Sequence, residues 1–173
     1  MNAITAMLLY SLAGFTMKLT DEGAERGEIA LALMFIFSGL SIGFLFSLYP
    51  GANMIFIAII LGTGMTGKID NRYHLLGLLT ICLTVALLGI PKEWNIIITF
   101  ILTVSALLDE VSDYFSEKKK IREIYIKIWE HRPFLKIACI ILIPYLKWNA
   151  LGILLFDFFY EIAYILVKHL YSK

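Results

Sequence analysis

Residues 29–49, IALALMFIFSGLSIGFLFSLY, contain no Asp, Glu, Lys, Arg or His. A charge-free stretch of about 20 residues is long enough to cross a lipid bilayer as a helix. The whole 173-residue chain has the same character, because 60% of its residues are hydrophobic and only 17% are charged. A soluble domain of this length needs a larger charged surface. The sequence therefore predicts an integral membrane protein and excludes a soluble enzyme, a secreted disulfide scaffold and a disordered chain.

Charges, prolines and turn residues divide the apolar sequence into further segments. The Tyr49-Pro50-Gly51 turn, the Ile90-Pro91-Lys92 break and Pro133 are the clearest boundaries. We expect one integral membrane domain over residues 1–173, an all-α polytopic transmembrane helix bundle of about seven spans. The predicted helices cover 3–17, 29–48, 53–67, 75–90, 95–113, 134–147 and 150–167. The break at Lys147-Trp148-Asn149 is the weakest, and five or six spans are the alternatives.

The basic residues are unevenly distributed between the two sides of this layout. If the N-terminus lies outside, the inward loops hold 13 of the 15 Lys and Arg residues, and the outward loops hold only Lys92 and Lys147. Cytoplasmic loops of membrane proteins are enriched in Lys and Arg. The distribution predicts an N-out, C-in orientation in the cell membrane.

The longest inward loop has a helical pattern of its own. Five of its apolar residues share one helical stripe: Ile121, Ile124, Tyr125, Ile128 and Trp129. Basic residues surround the stripe, so we predict an amphipathic helix over residues 114–132 that lies in the cytoplasmic headgroup layer. The lysines of the 118–132 segment would contact anionic lipid headgroups. Such a helix serves either as an anchor between the fifth and sixth spans or as a lipid-binding surface or lid over a site.

Net charge, cysteine content and motifs narrow the function classes. The formal net charge is only +1, which gives no indication of a nucleic-acid partner. Cys82 and Cys139 lie in apolar runs, where a thiol behaves as a small hydrophobic group. No GxSxG, HExxH, P-loop or dinucleotide-binding motif is present. Any chemistry must therefore come from the few polar residues of the helices.

Small residues predict close packing between helices. Gly39 and Gly43 form a GxxxG motif in the second predicted helix, and Ala58 and Gly62 form a similar pair in the third. Such pairs allow two helix backbones to approach closely in a membrane.

Polar residues occur on four predicted helices, the first, third, fifth and seventh. These helices all run from outside to inside, so we expect their polar residues to meet near the cytoplasmic face. Acidic or histidine side chains four residues apart share one helix face. Three such pairs are present: Asp70/His74, Asp109/Asp113 and Asp157/Glu161. Because charged groups within membrane helices are costly, these residues are candidates for a functional site.

The candidate residues are of the types that metal-dependent phosphate chemistry uses. Carboxylate pairs suit hard cations such as Mg²⁺ or Mn²⁺, histidine can act as a general base, and Lys and Arg bind phosphate. The predicted residues are Asp109, Asp113, Asp157 and Glu161 for the metal, Asp70 and His74 for the general base, and Lys18, Lys68 and Arg72 for the phosphate. Together they predict a divalent-metal-dependent enzyme that acts on a phosphate-bearing lipid or isoprenoid.

The same residues also have simpler interpretations. Asp21 and Glu22 are expected in a solvated loop after the first helix, and Asp109 is expected where the fifth helix emerges into water. A small proton- or cation-coupled transporter or channel is one alternative function, since such proteins use acidic residues within the membrane. A non-catalytic scaffold or assembly subunit is another, in which Lys68 and Arg72 would pair with the acids of the fifth and seventh helices.

Overall fold

A computed structural model describes residues 2–67, 71–117 and 133–171, except for the side chains of Asp113, Ser116 and Glu117. Within these ranges all regular secondary structure is α-helical. The helices are α1 (Ala3–Arg26), α2 (Ile29–Ala32), α3 (Phe35–Leu48), α4 (Ala52–Met65), α5 (Arg72–Leu88), α6 (Ile96–Glu117), α7 (Pro133–Ile141), α8 (Ile143–Leu146) and α9 (Trp148–Tyr171). Each of the seven predicted apolar segments is largely helical.

Three helical segments of the described chain are long and apolar enough to cross a membrane: Ala3–Arg26, Ile29–Leu48 (α2 with α3) and Trp148–Tyr171. The helices α4 and α5 are also apolar, but they are shorter, with 14 and 17 residues. The all-helical architecture is thus confirmed, and length and composition support three membrane spans. The seven-span count and the N-out orientation stay predictions.

The first helix is longer than the sequence predicts. We expected it to end near residue 17 and to be followed by a solvated loop, but α1 continues to Arg26. Glu22 explains the extension, because it pairs with Lys18 and Arg26 at 3.0 Å, each one helical turn away. The helix ends at Gly27, whose φ of 72° lies in the left-handed region and whose amide donates to the Gly23 carbonyl.

Two predicted spans contain breaks. The second is divided where α2 ends at Ala32 and α3 begins at Phe35. The weak break predicted at Lys147 is present, because this residue has a φ of 54° and separates α8 from α9. The predicted interfacial helix begins within α6, which includes residues 114–117, and its 118–132 segment lies outside the described residues.

The helices pack as an arc. In order of contact around the arc the helices are α4, α6, α7, α9, α1, α3 and α5, each packed against the next. The apolar core forms two clusters, one among α4, α6, α7, α8 and α9 and one among α1, α3, α4 and α5. Ile59 and Phe156 contact both clusters. The two side chains therefore lie between the two apolar clusters.

Small residues lie where neighbouring helices of the arc are closest. A Cβ added at Gly39 or Gly43 of α3 would approach a threonine Cβ of α5 to 2.7 or 2.5 Å. A Cβ added at Gly62 of α4 would lie 2.9 Å from the Cβ of Ala106 on α6. The predicted close packing at the GxxxG motif and at the Ala58/Gly62 pair is confirmed.

Candidate functional site

A cavity of about 400 Å³ lies inside the arc. Its wall is formed by α1, α3, α4, α5, α7 and α9. The apolar part of the wall includes Ile42, Phe56, Ile59, Ile81, Ile153 and Phe156. The polar part includes Asp21, His74, Lys136, Asp157, Tyr160 and Glu161. A concave, mostly apolar space with a few convergent polar groups is typical of a small-ligand site.

Asp21 connects three helices at the polar end of the cavity. Its Oδ1 lies 2.8 Å from Nε2 of His74 on α5, and its Oδ2 accepts a hydrogen bond of 2.6 Å from the Tyr160 hydroxyl on α9. The side chains of Asp21 and His74 are only 16% and 29% exposed, so water screens the pair incompletely. A carboxylate bound to one ring nitrogen fixes the orientation and the tautomer of an imidazole. Asp21 is therefore placed to orient His74.

A second ion pair connects α7 and α9. The Lys136 Nζ donates to Asp157 Oδ2 at 2.5 Å, and both side chains are partly exposed to the cavity. Glu161 follows Asp157 by one helical turn and lines the same cavity. Among the described residues Glu161 has no hydrogen-bond or ion-pair partner. Its carboxylate is thus available to a ligand.

The polar end of the cavity carries an excess of acid. Among the described residues of the cavity wall, three carboxylates (Asp21, Asp157 and Glu161) face one lysine and one histidine. The summed charge of these five side chains is negative whether the histidine is neutral or protonated. Such an end attracts a cation or a hydrogen-bond donor and repels a bare anion.

A strip of charges on α1 adjoins this end. Glu22 is only 4% exposed, and its charge is offset by the pairs with Lys18 and Arg26. The Lys18 ammonium also lies 5.3 Å and 4.9 Å from the ring centres of Tyr160 and Tyr164 on α9. Lys18, a predicted phosphate ligand, thus lies beside the cavity wall, where it joins α1 to α9.

The carboxylate of Asp109 is buried and bound to backbone amides. The residue is 2% exposed, and its two carboxylate oxygens accept hydrogen bonds of 2.8 Å from the backbone amides of Phe134 and Leu135. These amides belong to the first turn of α7, where no carbonyl of the same helix is available to them. We expected Asp109 to lie where its helix emerges into water, but the residue is buried and connects α6 to α7.

The other predicted residues divide into two groups. Arg72 is exposed at the start of α5, outside the cavity wall, where its guanidinium stacks on Tyr73 at 4.8 Å and donates to the Tyr73 hydroxyl. Lys68, Asp70 and the side chain of Asp113 lie outside the described part of the chain. Their predicted roles stay predictions.

The structure thus brings together part of the predicted site. His74, Asp157 and Glu161 line one cavity, as expected from the convergence of the polar helices. The sequence reasoning missed two partners of these residues, Asp21 and Lys136. The helical spacing of Lys18, Glu22 and Arg26 was the signal that places Asp21 within a helix. No local pattern indicates Lys136, because its partner is 21 residues away.

The prediction of a metal site depends on how many protein side chains the ion requires. In the ranges 2–67, 71–117 and 133–171, no three His, Cys, Asp or Glu side chains form a group that could hold a metal ion. Mg²⁺, however, commonly keeps several waters and uses only one or two protein carboxylates. Asp157 and Glu161 could supply two, so an Mg²⁺ or Mn²⁺ site stays a prediction.

A buried polar network stabilises the opposite end of the bundle. The Asn149 Nδ2 donates to the carbonyl oxygens of Pro50 and Leu146 at 2.8 and 3.0 Å, and the Tyr10 hydroxyl donates to Asn149 Oδ1 at 3.3 Å. These bonds join α1, the turn before α4 and the start of α9. The network satisfies buried polar groups and lies apart from the cavity residues.

The chain matches no protein-family model, and no curated protein or solved structure is significantly similar to it. The functional argument therefore rests on the geometry of the cavity.

Proposed function

We propose that the protein is a multi-pass membrane enzyme that acts, with a divalent metal ion, on a phosphate-bearing lipid or isoprenoid. One observation carries the proposal: the His74–Asp21 pair and the Asp157 and Glu161 carboxylates share a cavity whose remaining wall is mostly apolar. The apolar wall suits a hydrocarbon chain, and the polar end suits the head of the same molecule.

The charge of the polar end supports the metal part of the proposal. A phosphate group would meet three carboxylates, and the cavity lysine already pairs with Asp157. A divalent cation between the carboxylates and the phosphate removes this repulsion. Asp157 and Glu161, one turn apart on α9, are the proposed protein ligands of the cation, and Asp109 is not needed for it.

His74 is the proposed general base. Asp21 lies beside Nε2 and would hold the imidazole in one orientation. The ring would then accept a proton from a hydroxyl of the lipid or from water. The hydrogen bond from Tyr160 to the second oxygen of Asp21 supports the orientation of this pair. Asp21 is thus an acidic partner of His74 in the proposal, and the catalytic role predicted for Asp70, which lies outside the described residues, stays a prediction.

Metal binding tests the proposal directly. Mn²⁺ binding to the purified full-length protein in nanodiscs is measured by electron paramagnetic resonance. We expect Glu161→Gln to weaken Mn²⁺ binding by at least about tenfold, as loss of a supporting carboxylate commonly does. Glu25→Gln is the matched control, since Glu25 is exposed and outside the cavity wall. Equal Mn²⁺ affinities for the parent protein and Glu161→Gln would contradict the metal proposal.

The catalytic part requires a second measurement. The protein is incubated with Mg²⁺ and a membrane lipid extract, and phosphorus NMR follows the lipid phosphates. We expect a phosphate signal to change with the parent protein and to stay constant with His74→Gln. If both proteins leave every phosphate signal unchanged, the enzyme proposal fails while the binding data remain interpretable.

The N-out, C-in orientation is part of the same proposal. Single cysteines at Glu93 and Lys168, both exposed, would lie on opposite sides of the membrane. In intact cells of a Cys82→Ser background, we expect a membrane-impermeant maleimide to label Glu93→Cys and to leave Lys168→Cys unlabelled until the cells are opened. The reverse pattern would invert the topology.

A scaffold is the second candidate, because the pairs Asp21/His74 and Lys136/Asp157 each join two helices. Asp157 pairs with Lys136, and Arg72 contacts Tyr73 instead of an acid, while the predicted pairing of Lys68, outside the described residues, stays a prediction. If charge-neutral variants of both pairs lose stability while metal and lipid binding are absent from the parent protein, the scaffold interpretation is favoured. A transporter has less support, because the acidic residues of the cavity are confined to one end of it.

A further inference from the structure

The arc of helices is open on one side. Each helix from α4 to α5 around the arc packs on its neighbour, and α4 also contacts α3, but α4 and α5 contact each other little within the described residues. Both nevertheless line the cavity, α4 through Ile59, Ile60 and Thr63 and α5 through His74 and Leu78 among others. The cavity is therefore bordered by a seam between two helices that do not pack together.

Each side of the seam is fixed to a different neighbour. The α5 helix packs on α3, where Gly43 allows the Thr84 side chain a close approach, and α4 packs on α6 at the Gly62–Ala106 contact. Packing of small residues in this way holds helices firmly. The Tyr49–Gly51 turn joins α3 to α4 and bounds the seam at the end away from the polar cluster.

The exposed surfaces of α4 and α5 carry apolar residues. Leu61 and Met65 of α4 and Leu75 and Leu79 of α5 are exposed. The cavity wall at Ile60 and Leu78, the next residues along each helix, is apolar as well. A route between these two helices would therefore be mostly apolar, which favours a hydrocarbon chain over a water-soluble molecule.

We propose that the ligand is a bilayer lipid, one hydrocarbon chain of which enters the cavity sideways through the seam between α4 and α5, while its head reaches Asp21, His74 and Glu161. This inference rests on the proposed function and adds the source and the route of the ligand. The cavity volume of about 400 Å³ is at the lower end for ligand sites, which suits one chain.

The test uses the full-length protein in nanodiscs made with a phospholipid that carries a diazirine on one acyl chain. After irradiation, mass spectrometry locates the labelled residues. We expect label on the cavity residues Ile59 and Ile81, and about tenfold less of it in Leu78→Trp, because added volume in a binding pocket costs 1–3 kcal/mol or more of affinity. Leu87→Trp, at an exposed position near the C-terminal end of α5, is the matched control and should label like the parent protein.

A second variant pair protects the test against misfolding. Ile60→Phe narrows the seam from the α4 side, and Leu87→Phe, at an exposed position near the end of α5, is its control. Label confined to the exposed residues in the parent protein, or equal cavity label in all variants, would overturn lateral entry. Competition by hexyl phosphate separates the two proposals. If the cavity binds this soluble probe but takes no bilayer chain, the proposed function is retained and lateral entry is rejected. A cavity that accepts neither molecule contradicts both.

Discussion

His74 Nε2 and Asp21 Oδ1 lie 2.8 Å apart although 53 residues separate them in the chain. The pair connects α5 to α1 at the polar end of the cavity, and Tyr160 adds α9 through the other oxygen of Asp21. One carboxylate thus fixes three helices and orients the only imidazole of the cavity wall within the described residues.

The coupling between these two residues can be measured by a double-mutant cycle. We expect Asp21→Asn and His74→Gln each to lower the free energy of unfolding, with a coupling energy of about 1–2 kcal/mol, because both groups are partly buried and hydrogen bonded. Unfolding is followed by circular dichroism during titration with SDS. Additive effects of the two substitutions would show that the pair contributes no interaction of its own.

The close contact of α1 with α9 at Gly14 predicts a large loss of stability from one added methyl group. A Cβ at Gly14 would lie 2.0 Å from the Phe156 carbonyl oxygen, which belongs to the backbone of α9 and cannot move without shifting that helix. We expect Gly14→Ala to lower the free energy of unfolding by about 2–3 kcal/mol. Gly77→Ala is the control, since its Cβ would meet only an ordinary contact of 3.8 Å with Phe35. Equal stability of the two variants in SDS titration would contradict the close α1–α9 packing.

The role of Asp109 can be separated from metal binding. Asp109→Ala leaves two amides of α7, one of them buried and one partly buried, without their acceptor, and we expect a loss of about 1–3 kcal/mol in the free energy of unfolding. Asp109→Asn keeps one acceptor oxygen and should lose less. Mn²⁺ affinity, measured on the folded fraction of both variants, should equal that of the parent protein. A selective loss of Mn²⁺ binding in Asp109→Asn would return this residue to the metal site that the sequence predicts.

The Asn149 network predicts unequal costs for two substitutions that affect it. Asn149→Ala removes the donor to the Pro50 carbonyl and the acceptor of the Tyr10 hydroxyl, and we expect a loss of about 2–3 kcal/mol. Tyr10→Phe removes only the longer bond, of 3.3 Å, and should cost about 1 kcal/mol or less. Thermal unfolding in detergent measures both. A larger loss of stability in Tyr10→Phe than in Asn149→Ala would show that the tyrosine hydroxyl contributes more to the network than the Asn149 side chain.

Helix content and the gathering of polar residues at one end of the bundle were predictable because both follow from local properties. The apolar runs have no alternative to helix in a bilayer, since every backbone amide and carbonyl must be bonded within the segment. The i, i+4 spacing then gives the face that each polar pair shares, as for Asp157 and Glu161. The glycine pairs of α3 and α4 were likewise visible in the sequence.

The partners of the polar residues could not be predicted in the same way. Asp157 pairs with Lys136 and Asp109 with two amides of α7 because the arc places α7 between α6 and α9. The burial of Glu22 also depends on tertiary structure, although the spacing of Lys18, Glu22 and Arg26 that extends α1 is local.

The sequence by itself determined that this protein is helical, apolar enough to span a membrane, and polar at selected helix positions. Hydrophobicity and helical period are properties of the chain alone, so no folding information is required for them. Only the tertiary structure decided which polar groups meet, that an apolar cavity adjoins them, and that α4 and α5 leave a seam. These features depend on contacts between residues far apart in the chain, such as Asp21 with His74, and no local pattern encodes such distances.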